Sequence, residues 1–339
     1  MNEHILHDGY AVCVVRLPGD GEPRHREFEE AGYRILRSIG PAVKDRVLIK
    51  PNVIPAGETD SGMITHPAFV GGMVDYLTEV GVREVMVGEG GWGKDRPMET
   101  IWGHSGYAYM AESRDVQLVD LDPEGVEMRV PNPGFTEVLN VSRLVMDEAI
   151  SLINVPKMKT HNLGVTTLCM KNLMGTVMRP DRHFCGRARK RSEELTGSSE
   201  EEYEVQFARI LNDLSSVVKP ALCVVEGIVG RDGTAFHRGS NMPCRMAIAG
   251  TNSAVVDAFT SYVMGFDPKA VPYLQEAARR GLGTNEVSRI KVYEAVDGEM
   301  VPRKAEELFL GTFELISWTG THRPELYVKA PAAWKYEEG

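Results

Sequence analysis

The sequence predicts an α/β protein with an open, mostly parallel sheet, helices on both faces in a Rossmann-like arrangement, and a charged lid-like insertion. Strand-like runs alternate with helix-like segments along the 339 residues, and this rhythm is typical of α/β sheets. Several strand-like runs, such as AISLINV at 149–155, are apolar throughout rather than at every second residue. Continuous apolar runs are typical of parallel strands that are buried on both faces, so two layers of helices are expected to cover the sheet.

Each element is predicted from its periodicity and its end signals. Segment 28–40 has apolar residues at helical spacing and ends at Gly40, and segment 67–81 is a helix that begins with Pro67 and ends at Gly81. Three further helices are predicted over 205–218, 253–265 and 270–281. The predicted strands are 11–15, 46–51, 84–88, 116–121, 149–155, 221–227, 246–250 and 290–295.

The domain organisation follows from the same pattern. Residues 1–317 are predicted to form a single large α/β domain, which could divide into two lobes near 150–220. Residues 178–204 are rich in arginine and then in glutamate, and are expected to form an exposed loop or lid. Residues 318–339 show little pattern and are expected to form a peripheral tail.

Composition limits the classes of function. The formal net charge is -10, so nucleic acid and anionic membranes are not expected as partners. No apolar stretch reaches ~18 residues and no secretory signal is visible, so we expect a cytoplasmic protein. The five cysteines are scattered without a CxxC pair, so neither a disulfide framework nor a cysteine-ligated iron–sulfur cluster is expected.

Residues 88–95, GEGGWGKD, match the glycine and lysine spacing of a phosphate-binding P-loop. Asp95 stands where a P-loop needs Ser or Thr as a magnesium ligand, and Pro97 delays the helix that should follow. Glu89 would also repel a phosphate at close range. Nucleotide hydrolysis is therefore not expected, and the glycines are predicted to let a strand-to-helix connection bend.

Polar side chains follow four of the predicted strands. In open parallel sheets, ligands bind outside the carboxyl ends of the strands. If these four strands are parallel, their polar side chains share one edge of the sheet, and we predict a functional site there. The four strand ends supply Lys50 and Asn52, then Glu89, then Lys157, Lys159 and His161, and finally Glu226.

The third of these strand ends opens the stretch NVPKMKTHNLGVTTLCMKNLMG. Lys157 and Lys159 alternate with apolar residues, so in an extended chain both point to one side, and His161 follows on that side. Thr166 is predicted to cap a helix that carries Lys171 and Asn172. Because a helix N-terminus beside cationic side chains attracts anions, this stretch predicts an anion-binding site.

Other candidates stand alone in the sequence. His66 precedes Pro67, so it is expected to cap a helix or to contact substrate. Asp257 lies inside an apolar helix and needs a buried partner. The remaining candidate substrate contacts are Arg179, Arg182 and His183 in the charged insertion, and Asn241 at the entry to a strand.

Together these motifs resemble an uncharacterised family, the domain of unknown function 362. The resemblance runs from about residue 46 to about residue 295 and rests on VLIKPN, THP, VGEG, VPKMKTHNLGVTTLCMKNLMG and AGTNSAVVDAFTSYVMGFDPKAVPYLQEAARRGLG. Many members carry extra ferredoxin-type cysteine clusters and are labelled iron–sulfur proteins. This chain has no such cluster, so the resemblance does not extend that label to it. The lysine–histidine block is also loosely similar to the anion-handling sites of lactate-racemase-like proteins.

The leading hypothesis is an enzyme that acts on a small anionic substrate, a carboxylate or a phosphate. His161 would be the general acid or base with Glu89 or Glu226 as its partner, and the lysines and arginines would hold the anion. Crowding lowers the pKa of lysines, so a lysine such as Lys157 or Lys159 could itself be the base. These groups suit proton abstraction next to a carboxylate, as in isomerisation, elimination or cyclisation.

Two alternatives remain open at this point. One is a metal-dependent enzyme with ligands drawn from His66, His161, His183, Glu89 and Glu226. The other is a non-catalytic ligand sensor or a redox partner subunit. The sequence names neither the substrate nor a cofactor, and it leaves the oligomeric state open.

Overall fold

The structure is a computed structural model that describes residues 6, 9–54, 57–91, 97–195, 197–234 and 236–329. The strands in these ranges are β1 (Ala11–Arg16), β2 (Arg46–Pro51), β3 (Glu84–Glu89), β4 (Gln117–Asp120), β5 (Gly125–Arg129), β6 (Val138–Ser142), β7 (Ile150–Val155), β8 (Lys157–His161), β9 (Val165–Thr167), β10 (Leu222–Arg231), β11 (Asn241–Met242), β12 (Met246–Gly250), β13 (Lys291–Val296) and β14 (Glu299–Arg303). The helices are α1 (His25–Ile39), α2 (Pro67–Glu79), α3 (Met98–His104), α4 (Tyr107–Glu112), α5 (Arg143–Met146), α6 (Cys169–Asn172), α7 (Phe184–Leu195), α8 (Glu200–Val217), α9 (Ser253–Val263) and α10 (Pro272–Arg279).

The main sheet has the strand order β14-β13-β1-β12-β10-β7-β2-β3-β4. The run β10-β7-β2-β3-β4 is parallel throughout, which confirms the predicted mostly parallel α/β sheet. Strand β12 runs antiparallel to both of its neighbours, because no helix separates it from β10 to return the chain in the same direction. After Pro156 the chain continues from β7 into β8, which pairs with the second half of β10.

Helices cover both faces of the sheet, as predicted. Along β1, Val12 and Val14 belong to one apolar core, whereas Cys13 and Val15 belong to the other. The first core also contains residues of α8, α9 and α10, and the second contains residues of α1, α2 and α3. Since successive side chains of a strand point to opposite faces, the sheet lies between these two layers.

Within segment 178–204, residues 184–195 and 200–204 are helical rather than an exposed loop, and the prediction is corrected in this respect. They form α7 and the start of α8, where Ser199 accepts a hydrogen bond from the Glu202 amide as an N-cap. Phe184 and Ala188 are fully buried, so an apolar stripe at i, i+4 spacing anchors a segment that reads as charged. Four residues that line a cavity, Arg179, Pro180, Arg182 and His183, precede this buried pair.

The described part of the predicted tail also packs against the domain. Leu326 and Tyr327 are buried, and Arg323 forms an ion pair of 3.0 Å with Glu204 of α8. Residues 330–339 of the predicted tail lie outside the described residues. Among the described residues, no helix combines the length and the apolar character that crossing a bilayer requires.

Helices α1 and α2 approach each other closely at two glycines. A methyl group on Gly32 would lie 1.9 Å from the Phe69 carbonyl oxygen, and one on Gly72 would lie 2.0 Å from the Glu29 carbonyl oxygen. Both obstacles are backbone atoms that cannot rotate away. The contact between the two helices therefore requires glycine on each side.

His66 is the N-cap of α2, as predicted for this position. Its Nδ1 accepts a hydrogen bond of 3.1 Å from the Ala68 amide, and its ring stacks on Phe28 at a centroid distance of 3.9 Å. Burial, together with the charges of Lys157 and His25, lowers the pKa of His66 to about 3. The neutral imidazole therefore persists in the folded protein well into the acid range.

We predict that Gly72→Ala destabilises the fold by more than about 2 kcal/mol, because the new methyl group forces α1 and α2 apart. Gly103→Ala in α3 is the matched control, since a Cβ there meets nothing within 4 Å. The control should gain about 0.5 to 1 kcal/mol from its better helix propensity. Urea unfolding measures both, and equal stability of the two variants would contradict the close contact.

A second prediction concerns the stability of the fold in acid. The folded pKa of His66 lies below its unfolded value of 6.5, so the unfolded state binds the extra proton as the pH falls from about 6.5 to about 3. Stability is lost over that window, by up to about 4 kcal/mol at 1.36 kcal/mol per unit. His66→Asn keeps a capping acceptor and does not titrate.

The variant should be less stable than the parent at pH 8, where its lost stacking on Phe28 counts, and should lose less stability on acidification. Denaturant unfolding across this pH range gives the difference between the two proteins. Parallel curves for parent and variant would show that His66 does not carry this dependence.

Candidate functional site

A cavity of about 630 Å³ lies where β2 and β3 end, beside β8 and α6. Most of the residues predicted for a shared site line it, although they come from distant parts of the chain. These are Lys50, Asn52, Glu89, Lys159, His161, Lys171, Asn172, Arg179, Arg182 and His183. The structure therefore brings them together in space, as the strand ends predicted.

Four predicted site residues lie outside this cavity, and the prediction of one shared site is corrected for them. Lys157 and Glu226 are opposite each other on β8 and β10, and their Nζ and Oε2 atoms form a buried ion pair of 2.5 Å. Glu226 also accepts hydrogen bonds from the Ile228 and His66 amides. The ion pair holds the Lys157 side chain, although strand alternation alone would place it beside Lys159.

The other two residues are held elsewhere as well. The His66 ring is buried against Phe28 as the cap of α2. Asn241 is exposed on β11, where its Oδ1 accepts a hydrogen bond of 2.7 Å from Arg231. Neither lines the cavity.

The inner wall of the cavity is a buried ion pair between Lys50 and Glu89. Lys50 is fully buried, and its Nζ lies 2.6 Å from Glu89 Oε1. Glu89 also accepts hydrogen bonds from the amides of Gly90 (3.0 Å) and Val53 (3.4 Å). Burial lowers the pKa of Lys50, and Glu89 opposes that shift. A methyl group on Gly175 would lie 2.0 Å from Glu89 Oε1, so only glycine lets this segment pass over the pair.

Two asparagines tie α6 to the ion pair. Asn172 Nδ2 donates to Asn154 Oδ1 (2.8 Å) and to the Lys50 carbonyl (3.2 Å), and Asn154 Nδ2 donates to the Cys169 carbonyl (2.9 Å). Sequence reasoning missed Asn154, although a lone amide inside the apolar run of β7 was a usable signal. Asn52 Oδ1 is buried and has no hydrogen-bond partner among the described residues.

The start of α6 differs from the prediction. Thr166 lies in β9 and its hydroxyl bonds to Ser261 and Tyr273, so it does not cap the helix. The carboxylate of Asp257 instead accepts the amides of Cys169 (2.7 Å) and Met170 (2.9 Å). Burial raises the pKa of Asp257 to about 7, and these amides oppose the shift. The predicted anion site at this N-terminus is therefore occupied by the protein's own carboxyl group.

Lys159 and Lys171 both line the cavity. Lys159 is 3% exposed, and its Nζ donates to the Met63 carbonyl at 2.7 Å. In the described part of the chain, no Asp or Glu forms an ion pair with Lys159 or with the half-buried Lys171. Burial, and then the charges of Lys171 and Lys157, hold the pKa of Lys159 well below its usual value. Burial also lowers the pKa of Lys171.

His161 is held by the turn that follows β8. Its Nδ1 accepts hydrogen bonds from the amides of Leu163 (3.2 Å) and Gly164 (3.0 Å), and its ring stacks on Phe207 at a centroid distance of 5.8 Å. Burial, followed by the charges of Lys171 and Lys159, keeps the pKa of His161 well below 6.5. Neither Glu89 nor Glu226 is hydrogen-bonded to this ring, in contrast to the predicted pairing.

The outer wall of the cavity contains two arginines that share one carboxylate. Arg182 forms an ion pair with Asp122, and Arg179 lies 3.0 Å from the same carboxylate. Asp122 also accepts the Gly91 amide at 3.2 Å. Sequence reasoning missed Asp122, because it follows a short strand at the edge of the sheet.

The described half of the P-loop-like stretch does not form a phosphate cradle. Glu89 is engaged with Lys50, and the Gly91 amide is engaged with Asp122. Residues 92–95, which carry the lysine of the motif, lie outside the described residues.

The candidate metal ligands are dispersed. Glu226 and His66 lie with Lys157, whereas Glu89 is paired with Lys50 and His161 Nδ1 faces two amides. In the ranges that the structure covers, no three His, Cys, Asp or Glu side chains are close enough to hold a metal ion together. The five cysteines are free.

Comparison with known proteins gives distant relatives. A thylakoid-associated protein from Synechocystis sp. is 24% identical over 249 residues, which cover 73% of this chain and 72% of that protein. A structural-genomics crystal structure from Thermotoga maritima has a TM-score of 0.42 at 13% identity, over 63% of this chain and 52% of that chain. The lactate racemase apoprotein from Thermoanaerobacterium thermosaccharolyticum has a TM-score of 0.42 at 12% identity, over 78% of this chain and 55% of that chain. The chain thus spans about half the length of these two structures.

The family comparison covers the site itself. A family model described as a domain of unknown function, DUF362, matches residues 47–261, which is more than half of the chain. The matched region runs from β2 into α9 and includes all the residues that line the cavity. The chain belongs to the DUF362 family.

Proposed function

We propose that this protein is an enzyme that binds a small anionic molecule, a carboxylate or a phosphate, and acts on it by proton transfer. The observation that carries the proposal is the pair Lys159 and Lys171, which line the same cavity as His161 and form no ion pair with a carboxylate of the described residues. A cavity of about 630 Å³ falls within the range of roughly 300 to 1,000 Å³ that is common for small-molecule sites.

The electrostatics of the cavity favour an anion. Lys50 is neutralised by Glu89, and two arginines share Asp122. The groups that can carry uncompensated positive charge among the described residues of the cavity are therefore Lys171, one guanidinium and, when it is protonated, Lys159. Burying unpaired charge destabilises the folded state. A bound carboxylate or phosphate would remove that cost and stabilise the protein by mass action.

The chemistry that suits these groups is proton abstraction from carbon next to a carboxylate. Burial and neighbouring positive charges lower the pKa of Lys159 and so favour its neutral amine, and an imidazole beside it supplies a second proton-transfer or hydrogen-bonding group. Isomerase, lyase and cyclase reactions share this step. Glu89 serves as a positioning residue in this proposal, because Lys50 and two amides occupy its oxygens.

The formal net charge of -10 supports a small-molecule partner rather than nucleic acid or a membrane surface. We retain a cytoplasmic location as part of the proposal. The proposed mechanism does not include a metal ion, because the described residues contain no group of three His, Cys, Asp or Glu side chains that could hold one.

Lys171→Met tests the anion site. We expect it to raise the melting temperature of the ligand-free protein, since it removes an unpaired cation, and to abolish stabilisation by phosphate and by pyruvate. Lys190→Met is the matched control, because Lys190 is 79% exposed on α7 and the substitution changes the net charge equally. Differential scanning fluorimetry with each anion at constant ionic strength measures both effects.

The control should keep the full response to the anions. Equal anion responses in Lys171→Met and in the parent would place the anion elsewhere. A lower melting temperature for Lys171→Met without ligand would mean that Lys171 supports the fold instead.

A further inference from the structure

The hydrogen bonds around His161 determine which of its nitrogens carries the proton. Two backbone amides, of Leu163 and Gly164, donate to Nδ1 at 3.2 Å and 3.0 Å. An amide can only donate, so Nδ1 has to present its lone pair. In a neutral imidazole the single proton then resides on Nε2.

This arrangement prevents His161 from acting as a base at Nε2 and from becoming a positively charged imidazolium. To accept a proton at Nε2, the neutral ring would need its hydrogen on Nδ1, where it would meet two N–H groups head-on. An imidazolium carries a proton on both nitrogens and meets the same obstacle. The positive groups around the ring, Lys159 on β8 and Lys171 on α6, oppose the imidazolium further.

Lys159 lies close to His161 in the cavity. It lies two residues before His161 on β8, and both side chains line the cavity. Lys159 Nζ lies 5.8 Å from the centre of the Phe236 ring, and the centre of the His161 ring lies 6.1 Å from it. A ligand in contact with Phe236 can therefore reach both groups.

The hydrogen bonding of Lys159 also suits a neutral amine. An ammonium group has three protons to donate, and the Met63 carbonyl is its one acceptor among the described residues. A neutral amine donates to Met63 and keeps a lone pair for the cavity. Among the described residues, the charges of Lys171, Lys157 and Arg231 lower the pKa of Lys159, and the charge of Glu89 raises it.

We infer that His161 and Lys159 divide the proton transfer: Lys159 is the base, and His161 is a neutral hydrogen-bond donor to the substrate oxygen. The substrate class is an acid with a C–H bond next to a carbonyl or carboxyl carbon. The C–H bond breaks, its electron pair moves into the C=O group, and the proton bonds to the Lys159 lone pair. The resulting enolate oxygen accepts the hydrogen bond from His161 Nε2. Where a C=C bond is conjugated to the enolate, delivery of the proton from Lys159 to the far carbon of that conjugated system, instead of the carbon it left, completes an isomerisation.

This inference rests on the proposed function, and Lys171 has a distinct part in it. Lys171 is half-buried, whereas Lys159 is 3% exposed, so Lys171 retains a charge more easily and holds the substrate carboxylate. The sequence alone assigned His161 as a general acid or base. The two amides restrict it to donation.

The tautomer of His161 can be measured directly on the whole protein. Long-range ¹H–¹⁵N correlation spectra distinguish the two neutral tautomers and the imidazolium, and His161→Gln identifies the signal. We expect the Nε2–H tautomer from pH 8 down to about pH 6, which lies below the ordinary histidine pKa. His66 is an internal reference, since its Nδ1 also accepts an amide. An Nδ1–H tautomer, or an imidazolium at pH 6, would overturn the inference.

The state of Lys159 is measured in the same way. The ¹³Cε shift of a lysine reports its protonation, and Lys159→Met assigns the signal. We expect Lys159 to titrate at a lower pH than exposed Lys190. A midpoint equal to or above that of Lys190 would exclude Lys159 as the base.

Pyruvate binding tests the role of the donor. His161→Gln keeps an N–H donor and should retain most of the affinity for pyruvate, whereas His161→Leu should weaken it about tenfold, the effect of losing one hydrogen bond. Equal losses in the two variants would argue against donation.

Failure of the inference and failure of the proposed function give different results. If the parent protein binds neither pyruvate nor phosphate, both the proposed function and the catalytic step are excluded, even if His161 has the expected tautomer. Anion binding together with an Nδ1–H tautomer would remove only the division of roles.

Discussion

The buried ion pair between Lys50 and Glu89 is the interaction on which the site depends. It joins the ends of the adjacent parallel strands β2 and β3. Asn172 of α6 and Gly175, just after α6, pack over the pair. A buried pair of this kind is stable only when the remaining hydrogen-bonding capacity is satisfied, and here backbone amides meet that need. The pair therefore fixes the geometry of the cavity wall while adding almost no net charge to it.

The molecule treats its buried lysines in two ways. Lys50 and Lys157 each have a carboxylate within 2.6 Å, and such a pair costs stability chiefly when one member is removed. Lys159 is as deeply buried, but its one hydrogen-bond acceptor in the described part of the chain is a carbonyl oxygen. A charge on Lys159 therefore opposes folding unless a ligand arrives or the proton leaves. Paired lysines thus build the scaffold, and the unpaired lysine on the same strand as Lys157 is the one available for chemistry.

The sequence predicts the strand ends and the residues that leave them, because continuous apolar runs and their polar successors are local features. The sequence does not predict which distant residue forms an ion pair or hydrogen bond with a given side chain. Lys157 goes to Glu226 because β8 pairs with β10, and this pairing joins segments 69 residues apart. The cap of α6 likewise comes from a residue distant in sequence, Asp257, whereas the local sequence had suggested Thr166. The helical anchor at Phe184 was hidden because charged residues dominate the composition around it.

The turn after β8 couples the fold to the chemistry. If His161 were free to protonate, it would add a positive charge beside Lys159 and Lys171 and would compete with Lys171 for the same anion. The amides of Leu163 and Gly164 prevent this by occupying Nδ1, and the turn is fixed because the His161 ring is stacked on Phe207. Of the histidine and the two lysines, only the lysines can then carry positive charge. Charged Lys171 holds the anion, and Lys159 acts as the base after it loses its proton. The neutral imidazole provides an oriented hydrogen-bond donor without adding a charge. Such a donor stabilises an oxygen that becomes negative only during the reaction.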